Sequence, residues 1–139
     1  MIIDRNIDIE YEVTKVLKNN PIGGTAYLRP LPENYSLPNV LVSQVGGSDY
    51  DQIDHFDVVL DSRATNEGEA TVLLNTAIGV LKQVAKEQTT ALRYIEVVSS
   101  GSWGTDPVRP DLAMRSARLR ITAHLEKVQL QTTGGNNND

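Results

Sequence analysis

The sequence predicts a single α+β domain, in which an antiparallel or mixed sheet of about four to five strands is packed by two helices on one face. Apolar and polar residues alternate from Ala117 to Glu126, which is the period of a strand with one buried face. Residues 69–87 instead carry an apolar stripe at helical spacing. Glycines at 46 and 47 separate two apolar runs, as is typical of a hairpin.

The first helix is predicted near the N-terminus. Apolar residues follow helical spacing after Asp4: Ile9, Val13, Val16 and Leu17. The segment Asn19-Asn20-Pro21 should end this helix, because proline disfavours a helical residue before it. A short strand at 25–29 is followed by prolines at 30 and 32, so we expect it at an edge of the sheet or in an exposed arm.

The hairpin and the second helix come next. Strands are predicted at Val40–Val45 and Ile53–Leu60, joined by a glycine-containing turn at 46–51. Asn66 or Thr65 can cap the second helix, whose acidic first turn suits the positive end of the helix dipole. The apolar stripe of this helix should cover one face of the sheet: Ala70, Leu73, Leu74, Ala77, Ile78, Leu81, Val84 and Ala85.

The last two strands are predicted at Leu92–Val98 and Met114–Glu126, with a loop over residues 99–111 between them. The polar face of the second one carries Arg118, Arg120, Thr122, His124 and Glu126. We expect one domain over residues 1–128. A disordered polar tail is expected over 129–139, since that segment has little to bury.

Composition narrows the class of protein. The chain has 139 residues and no cysteine, which excludes disulfides, thiolate metal sites and thiol nucleophiles. Its net charge of -5 argues against a surface that grips nucleic acid throughout, because phosphate binding needs clustered Lys and Arg. The N-terminus lacks the pattern of a signal peptide, and no apolar run approaches a membrane span. We therefore expect a soluble protein without a membrane partner.

Acidic residues concentrate in the predicted hairpin, around His55: Asp49, Asp51, Asp54, Asp57 and Asp61. Closely spaced carboxylates are what a hard divalent cation needs. The spacing does not match an EF-hand, and the later acids fall on both faces of a strand, so a solvated hairpin is favoured over a metal site. Neither His55 nor His124 has a nucleophile context. We predict no catalytic residue, cofactor or metal.

Arginines concentrate further along the chain. Arg109, Arg115, Arg118 and Arg120 contribute four of the thirteen basic residues within a dozen positions. This basic patch is either a solvated strand face or a contact for another subunit, whose acidic Asp49, Asp51 and Asp54 would complement it. Trp103, in a loop with flanking glycine, is a candidate anchor of the same interface, although a lone Trp can equally fold back on its own domain.

The order of elements resembles the tail terminator family of long-tailed bacteriophages. The resemblance is carried by the helix ending at Asn19-Asn20-Pro21, the hairpin Val40–Leu60, the helix Glu69–Glu87, and the Asp106-Pro107 loop before Met114–Glu126. It covers nearly the whole chain up to about Glu126. These families are defined by pattern and size more than by an invariant motif.

The resemblance implies a structural protein of the virion, located in the tail or neck and assembled in the bacterial cytoplasm. Such a protein forms a hexameric ring that caps the tail-tube protein and joins it to the head–tail connector or stopper. Double-stranded DNA passes through the channel without specific binding, which suits an acidic lumen. Residues 46–52 and 101–112 are the expected lumen or docking loops.

Three alternatives remain open. A head-completion or stopper protein differs in its partner but not in its class. A small metal-dependent phosphodiesterase would use the acidic residues between Asp49 and Asp61. A monomeric ligand-binding module would have a pocket between the second helix and the sheet.

Overall fold

The computed structural model describes residues 1–50 and 53–131, with the backbone alone described at 48–50, 53 and 54. The elements run in the order β1 Ile2–Arg5, α1 Ile9–Lys18, β2 Thr25–Leu28, β3 Asn39–Tyr50, β4 Ile53–Ala64, α2 Glu67–Glu87, β5 Leu92–Thr105, β6 Ala113–His124 and β7 Glu126–Gln129.

The main sheet has five strands in the order β2-β3-β4-β6-β5. Strand β2 pairs in parallel with β3, and the other neighbours pair antiparallel, so the sheet is mixed. Both helices pack on one face of this sheet and contact each other. The predicted α+β architecture is confirmed, including the position of β2 at an edge.

Strand alternation separates the two faces of the sheet. Val58 and Leu60 of β4 and Leu119 and Ile121 of β6 are buried beneath the helices. The residues between them point to the opposite face, which no helix covers within the described residues. The alternating pattern predicted for the last long strand is therefore confirmed up to His124, where β6 ends two residues before the predicted end.

Helix α1 begins later than predicted. It starts at Ile9, where the side chain of the N-cap Asp8 accepts a hydrogen bond from the Tyr11 amide (3.2 Å). The preceding residues form β1, which pairs antiparallel with β7 in a separate two-stranded sheet. Four residues are too few to reveal a strand period, and the pairing partner lies at the other end of the chain. The helix ends before Pro21, as predicted.

Helix α2 begins as predicted. Asn66 is its N-cap and accepts a hydrogen bond from the Glu69 amide (2.8 Å). The apolar stripe from Ala70 to Ala85 faces the core, with Val84 partly buried. This helix lies over β4, β5 and β6, whereas α1 lies over β2 and β3.

The loop predicted at 99–111 is wrong for residues 99–105, which continue strand β5. These residues pair with β6 through register shifts between Leu92 and Tyr94, Val97 and Ser99, and Ser100 and Ser102. Serine and glycine have weak strand preferences, so the long neighbouring strand determines this segment.

The hairpin turn is also shorter than predicted, since Gly46 and Gly47 are paired within β3. Residues 51 and 52 lie outside the described residues. At the other end of the chain, β7 runs to Gln129, and the Leu130 amide donates to the Met1 carbonyl oxygen (2.8 Å). The remainder of the predicted tail, 132–139, lies outside the described residues.

Candidate functional site

The four arginines predicted as one basic patch are divided among three places. Arg118 and Arg120 lie on the uncovered face of the sheet, which we call the open face. Arg115, at odd parity in the same strand, points to the helix side, where it contacts Thr71 of α2. Arg109 lies in the segment 106–112, which connects β5 and β6. The four arginines are close in sequence, but they do not form one basic patch in the structure.

On the open face, Asp57 of β4 lies between the two arginines. Its Oδ1 is 3.2 Å from Nε of Arg120, and its Oδ2 is 3.8 Å from Nη2 of Arg118. Asp57 is opposite Arg120 in the strand register, so the pairing of β4 with β6 creates this cluster. One carboxylate of the acidic hairpin thus offsets positive charge within its own chain. The side chains of Asp49, Asp51 and Asp54 lie outside what the structure describes.

Trp103 stacks on Arg115 at the end of β5. The two residues are direct cross-strand neighbours, and Cζ of Arg115 lies 4.5 Å from the centre of the indole ring. Nη1 of Arg115 also donates to Oγ1 of Thr71 (2.6 Å). The indole nevertheless remains 47% exposed. One side of the ring is fixed and much of the rest faces solvent.

Gly101 makes room for this stack. It has a φ of +84°, in the left-handed region that favours glycine. A Cβ atom at this position would clash with Nη2 of Arg115. The glycine is therefore needed both for its backbone conformation and for the space occupied by the guanidinium.

Two more exposed apolar residues lie at the same end of the sheet as Trp103. Val72, adjacent to Thr71 in the first turns of α2, is 66% exposed, and Val108, between β5 and β6, is 84% exposed. We call Trp103, Arg115, Val72 and Val108 the Trp103 surface. Exposed apolar groups at the same end of a sheet as a Trp–Arg stack are typical of protein contact sites.

A buried ion pair anchors the connecting segment 106–112. Nε of Arg63 donates to Oδ2 of Asp106 (2.6 Å), and both side chains are more than nine-tenths buried. Oδ1 of Asp106 accepts from the amides of Val108 (2.8 Å) and Arg109 (3.0 Å). Burial raises the pKa of Asp106, but these hydrogen bonds outweigh it, so its pKa lies below the ordinary 3.8.

Sequence reasoning did not identify Arg63 as a partner for this segment. The Asp106-Pro107 dipeptide is a signal for a turn in which the aspartate side chain binds following amides. Its partner is 43 positions away, on a strand whose register the sequence does not specify. Only the observation that a charged residue follows an apolar strand could have singled out Arg63.

Arg109 is paired with a nearby acid. Its Nε and Nη2 donate to Oδ1 (3.1 Å) and Oδ2 (2.9 Å) of Asp111. The hydrogen bonds lower the pKa of Asp111 and raise that of Arg109. Both groups are exposed, so the pair shapes the connecting segment more than it stabilises the fold.

No three His, Asp or Glu side chains in the described part of the chain are placed to share a metal ion. His55 contacts Thr122 across the sheet, with Nδ1 3.2 Å from the hydroxyl. No helix of the described residues is long and apolar enough to cross a membrane.

Comparison with known proteins adds no identity. No family model matches the sequence. No curated protein matches it either.

Proposed function

We propose that this protein is the tail terminator of a long-tailed bacteriophage. It would form a hexameric ring in the tail or neck of the virion, cap the tail-tube protein and meet the head–tail connector or stopper protein. Double-stranded DNA would pass through its channel without specific binding. The proposal assigns no catalytic residue, cofactor or metal. The observation that carries it is the Trp103 surface.

The Trp103 surface has the properties of a docking site for another protein. Trp and Arg are the residues most enriched among those that dominate binding energy at protein interfaces. The contacts of Arg115 with the indole and with Thr71 fix the anchor before binding, which lowers the entropic cost of association. The ion pair of Arg63 with Asp106 holds the neighbouring segment, so the surface has a defined shape.

The position of this surface suits a cap. It lies at the end of the sheet where β5 ends, β6 begins and α2 begins. A ring that stacks on a tube needs a contact on an end of each subunit, while the sides of the subunit contact neighbours in the ring. The open face, with Asp57, Arg118 and Arg120, is available for charged contacts between subunits.

The acidic character of the chain is compatible with a DNA conduit. A net charge of -5 repels phosphate, so DNA can pass without adhering to the channel. A protein that gripped DNA would need clustered cations instead. In the described structure, Arg109, Arg118 and Arg120 all lie beside carboxylates.

The first test is the mass of the purified protein by light scattering, over a concentration series at low and moderate salt. We expect a closed hexamer that loosens as salt rises, because charged contacts are screened. Since such rings can require a template, the same samples are then mixed with purified tail tubes and imaged for capped ends.

The variant Trp103→Ala tests the docking surface itself. We expect it to fold and to form the same oligomer but to lose tube capping. Tyr11→Ala is the matched control, because Tyr11 is an aromatic residue of α1 that is 50% exposed outside the Trp103 surface. A wild-type protein that neither forms a ring nor binds tubes would overturn the proposal. Binding to purified connectors but not to tubes would favour the stopper function.

A further inference from the structure

A groove separates the C-terminal half of α2 from the start of β5. Its volume is about 310 Å³, and it is lined by Lys82, Ala85, Lys86, Arg93, Tyr94 and Ile95. Strand β5 lies at one edge of the five-stranded sheet, so its outer side has no neighbouring strand within the described residues. Beyond Leu92, whose amide and carbonyl already bond to the side chains of Thr90 and Arg93, such an edge presents backbone donors and acceptors that can pair with another strand.

The charged residues of the groove are all cationic. Lys82 and Lys86 are exposed, and neither forms an ion pair with a carboxylate among the described residues. Arg93 is the additional residue at the register shift between Leu92 and Tyr94. Its guanidinium donates to the carbonyl oxygens of Thr90 and Leu92, which hold it at the groove. Three cations thus converge in a protein of net charge -5.

We propose that this groove binds an extended acidic segment of another polypeptide, which adds as a strand to the outer edge of β5. Lys82 and Lys86 are four positions apart on α2, so their Cβ atoms lie roughly 5–6 Å apart. Alternate side chains of an extended strand are about 6.6 Å apart. Acidic residues at positions i and i+2 of the segment therefore match the two lysines, and Arg93 binds a further carboxylate.

The composition of the groove favours a polypeptide over nucleic acid or free phosphate. The strand edge offers hydrogen bonds to a backbone with both donors and acceptors, which a phosphate chain lacks. Ala85 and Ile95 give the groove an apolar component, and Tyr94 is 63% exposed at its rim. Three cations are also few for a DNA contact in a protein that is acidic overall.

The test uses two fluorescent eight-residue peptides of identical composition, one with alternating Asp and Val and one with the four Asp residues in a block. We expect the alternating peptide to bind about tenfold more tightly at low salt. Lys82→Glu with Lys86→Glu should weaken its binding by at least about tenfold. Lys15→Glu with Lys18→Glu, the same charge change on α1, is the matched control and should leave binding nearly unchanged.

The backbone provides an independent measurement. Binding as an added strand should slow hydrogen exchange of amides within residues 92–96, whereas simple charge attraction would not. Equal affinity for the two peptides, unchanged exchange in 92–96, or binding that survives the Lys82 and Lys86 changes would overturn the proposal. So would tighter binding of tripolyphosphate or duplex DNA to the same residues, which would identify the groove as a general anion site.

Discussion

The carboxylate of Asp106 accepts three hydrogen bonds. It accepts from the buried guanidinium of Arg63 and from two backbone amides of the segment that follows it. A buried charge that loses its partner is costly, because the remaining ion has no water to replace it. One carboxylate therefore joins the connecting segment to β4 and also orders the backbone that follows it.

Asp106→Ala should lower the free energy of unfolding by about 3–5 kcal/mol, since it leaves Arg63 charged and buried. Denaturant unfolding measures the change. Asp111→Ala is the matched control and should have a much smaller effect, because its pair with Arg109 is exposed and screened by water. If Asp106→Ala together with Arg63→Met were no more stable than Asp106→Ala alone, burial of an unpaired arginine would not be the cause.

The same carboxylate should make stability depend on pH. Because the pKa of Asp106 lies below 3.8 in the folded protein, its contribution is complete above that ordinary value and is lost as pH falls through the lower folded value. The difference in unfolding free energy between the wild type and Asp106→Asn should therefore shrink in acid. Denaturant unfolding at about pH 7 and about pH 3 tests this. A difference that stays constant would contradict it.

Gly101→Ala should separate Arg115 from Trp103. The new Cβ would meet the guanidinium, and a φ of +84° costs an alanine about 1–2 kcal/mol. The chain has one tryptophan, so its emission spectrum reports the stack directly. Gly23→Ala is the control, because Gly23 has a φ of +88° but no described residue within 4 Å of an added Cβ. It should lose similar stability with unchanged emission; a shift in both variants would point to general loosening.

For individual residues, the sequence indicates which residue types matter more reliably than it indicates which side chains contact each other. The sequence indicates Trp103 and Arg115 as interface candidates, but their direct stacking depends on three register shifts along β5. The contact between Arg63 and Asp106 depends on the same long-range pairing. Side-chain contacts between distant strands follow from register, and a register shift of one residue moves a side chain to the other face.

Helix α2 illustrates what local sequence patterns can predict about a secondary-structure element. The cap at Asn66 and the stripe of α2 follow from local rules of capping and periodicity, and both are confirmed. Strands β1 and β7, and the extension of β5 through Ser99–Thr105, follow from pairing with distant partners. Local preference is weak in these segments, so sequence patterns do not reveal them.

Gly79→Ala should stabilise α2. Gly79 lies inside the helix and is exposed, and an added Cβ would have open space around it among the described residues. Alanine is favoured over glycine by about 1 kcal/mol in a helix interior, so the free energy of unfolding should rise by about that amount.

Gly24→Ala provides the contrast. Thermal and denaturant unfolding measure the stability of both variants. There the added Cβ would lie 2.8 Å from the Pro38 carbonyl oxygen and 3.0 Å from Cδ2 of Leu73, so we expect a loss of stability. If Gly79→Ala also destabilised the protein, the face of α2 that carries Gly79 would not be exposed to solvent as described.

Helices cover one side of the main sheet, and no helix among the described residues covers the other side. Both helices lie on one face of the sheet, and the open face carries charged side chains that pair with one another. The fold class could be predicted because alternation and helical stripes specify which faces are apolar. The order of the strands, with β6 between β4 and β5, could not be predicted from the sequence, because several strand orders bury the same apolar faces.

Asp57→Asn should strengthen salt-sensitive association if the open face forms the ring contact. The change removes the carboxylate between Arg118 and Arg120 and leaves both arginines to attract acidic groups of a neighbour. Light scattering at low salt should then detect the oligomer at lower protein concentration. Glu126→Gln, which removes the exposed partner of Arg5 in the small sheet, is the control. An unchanged concentration dependence would exclude the open face as the ring contact.

The pairing of β1 with β7 determines how the molecule responds to mechanical load. The strands are antiparallel, with Ile2 opposite Gln129 and Arg5 opposite Glu126, so Met1 and Leu130 lie at the same end of the pair. A pull on these two residues in opposite directions loads one hydrogen bond at a time and peels the strands apart. We therefore expect the two-stranded sheet to open at lower force than the five-stranded sheet and to lengthen the chain before the core is loaded.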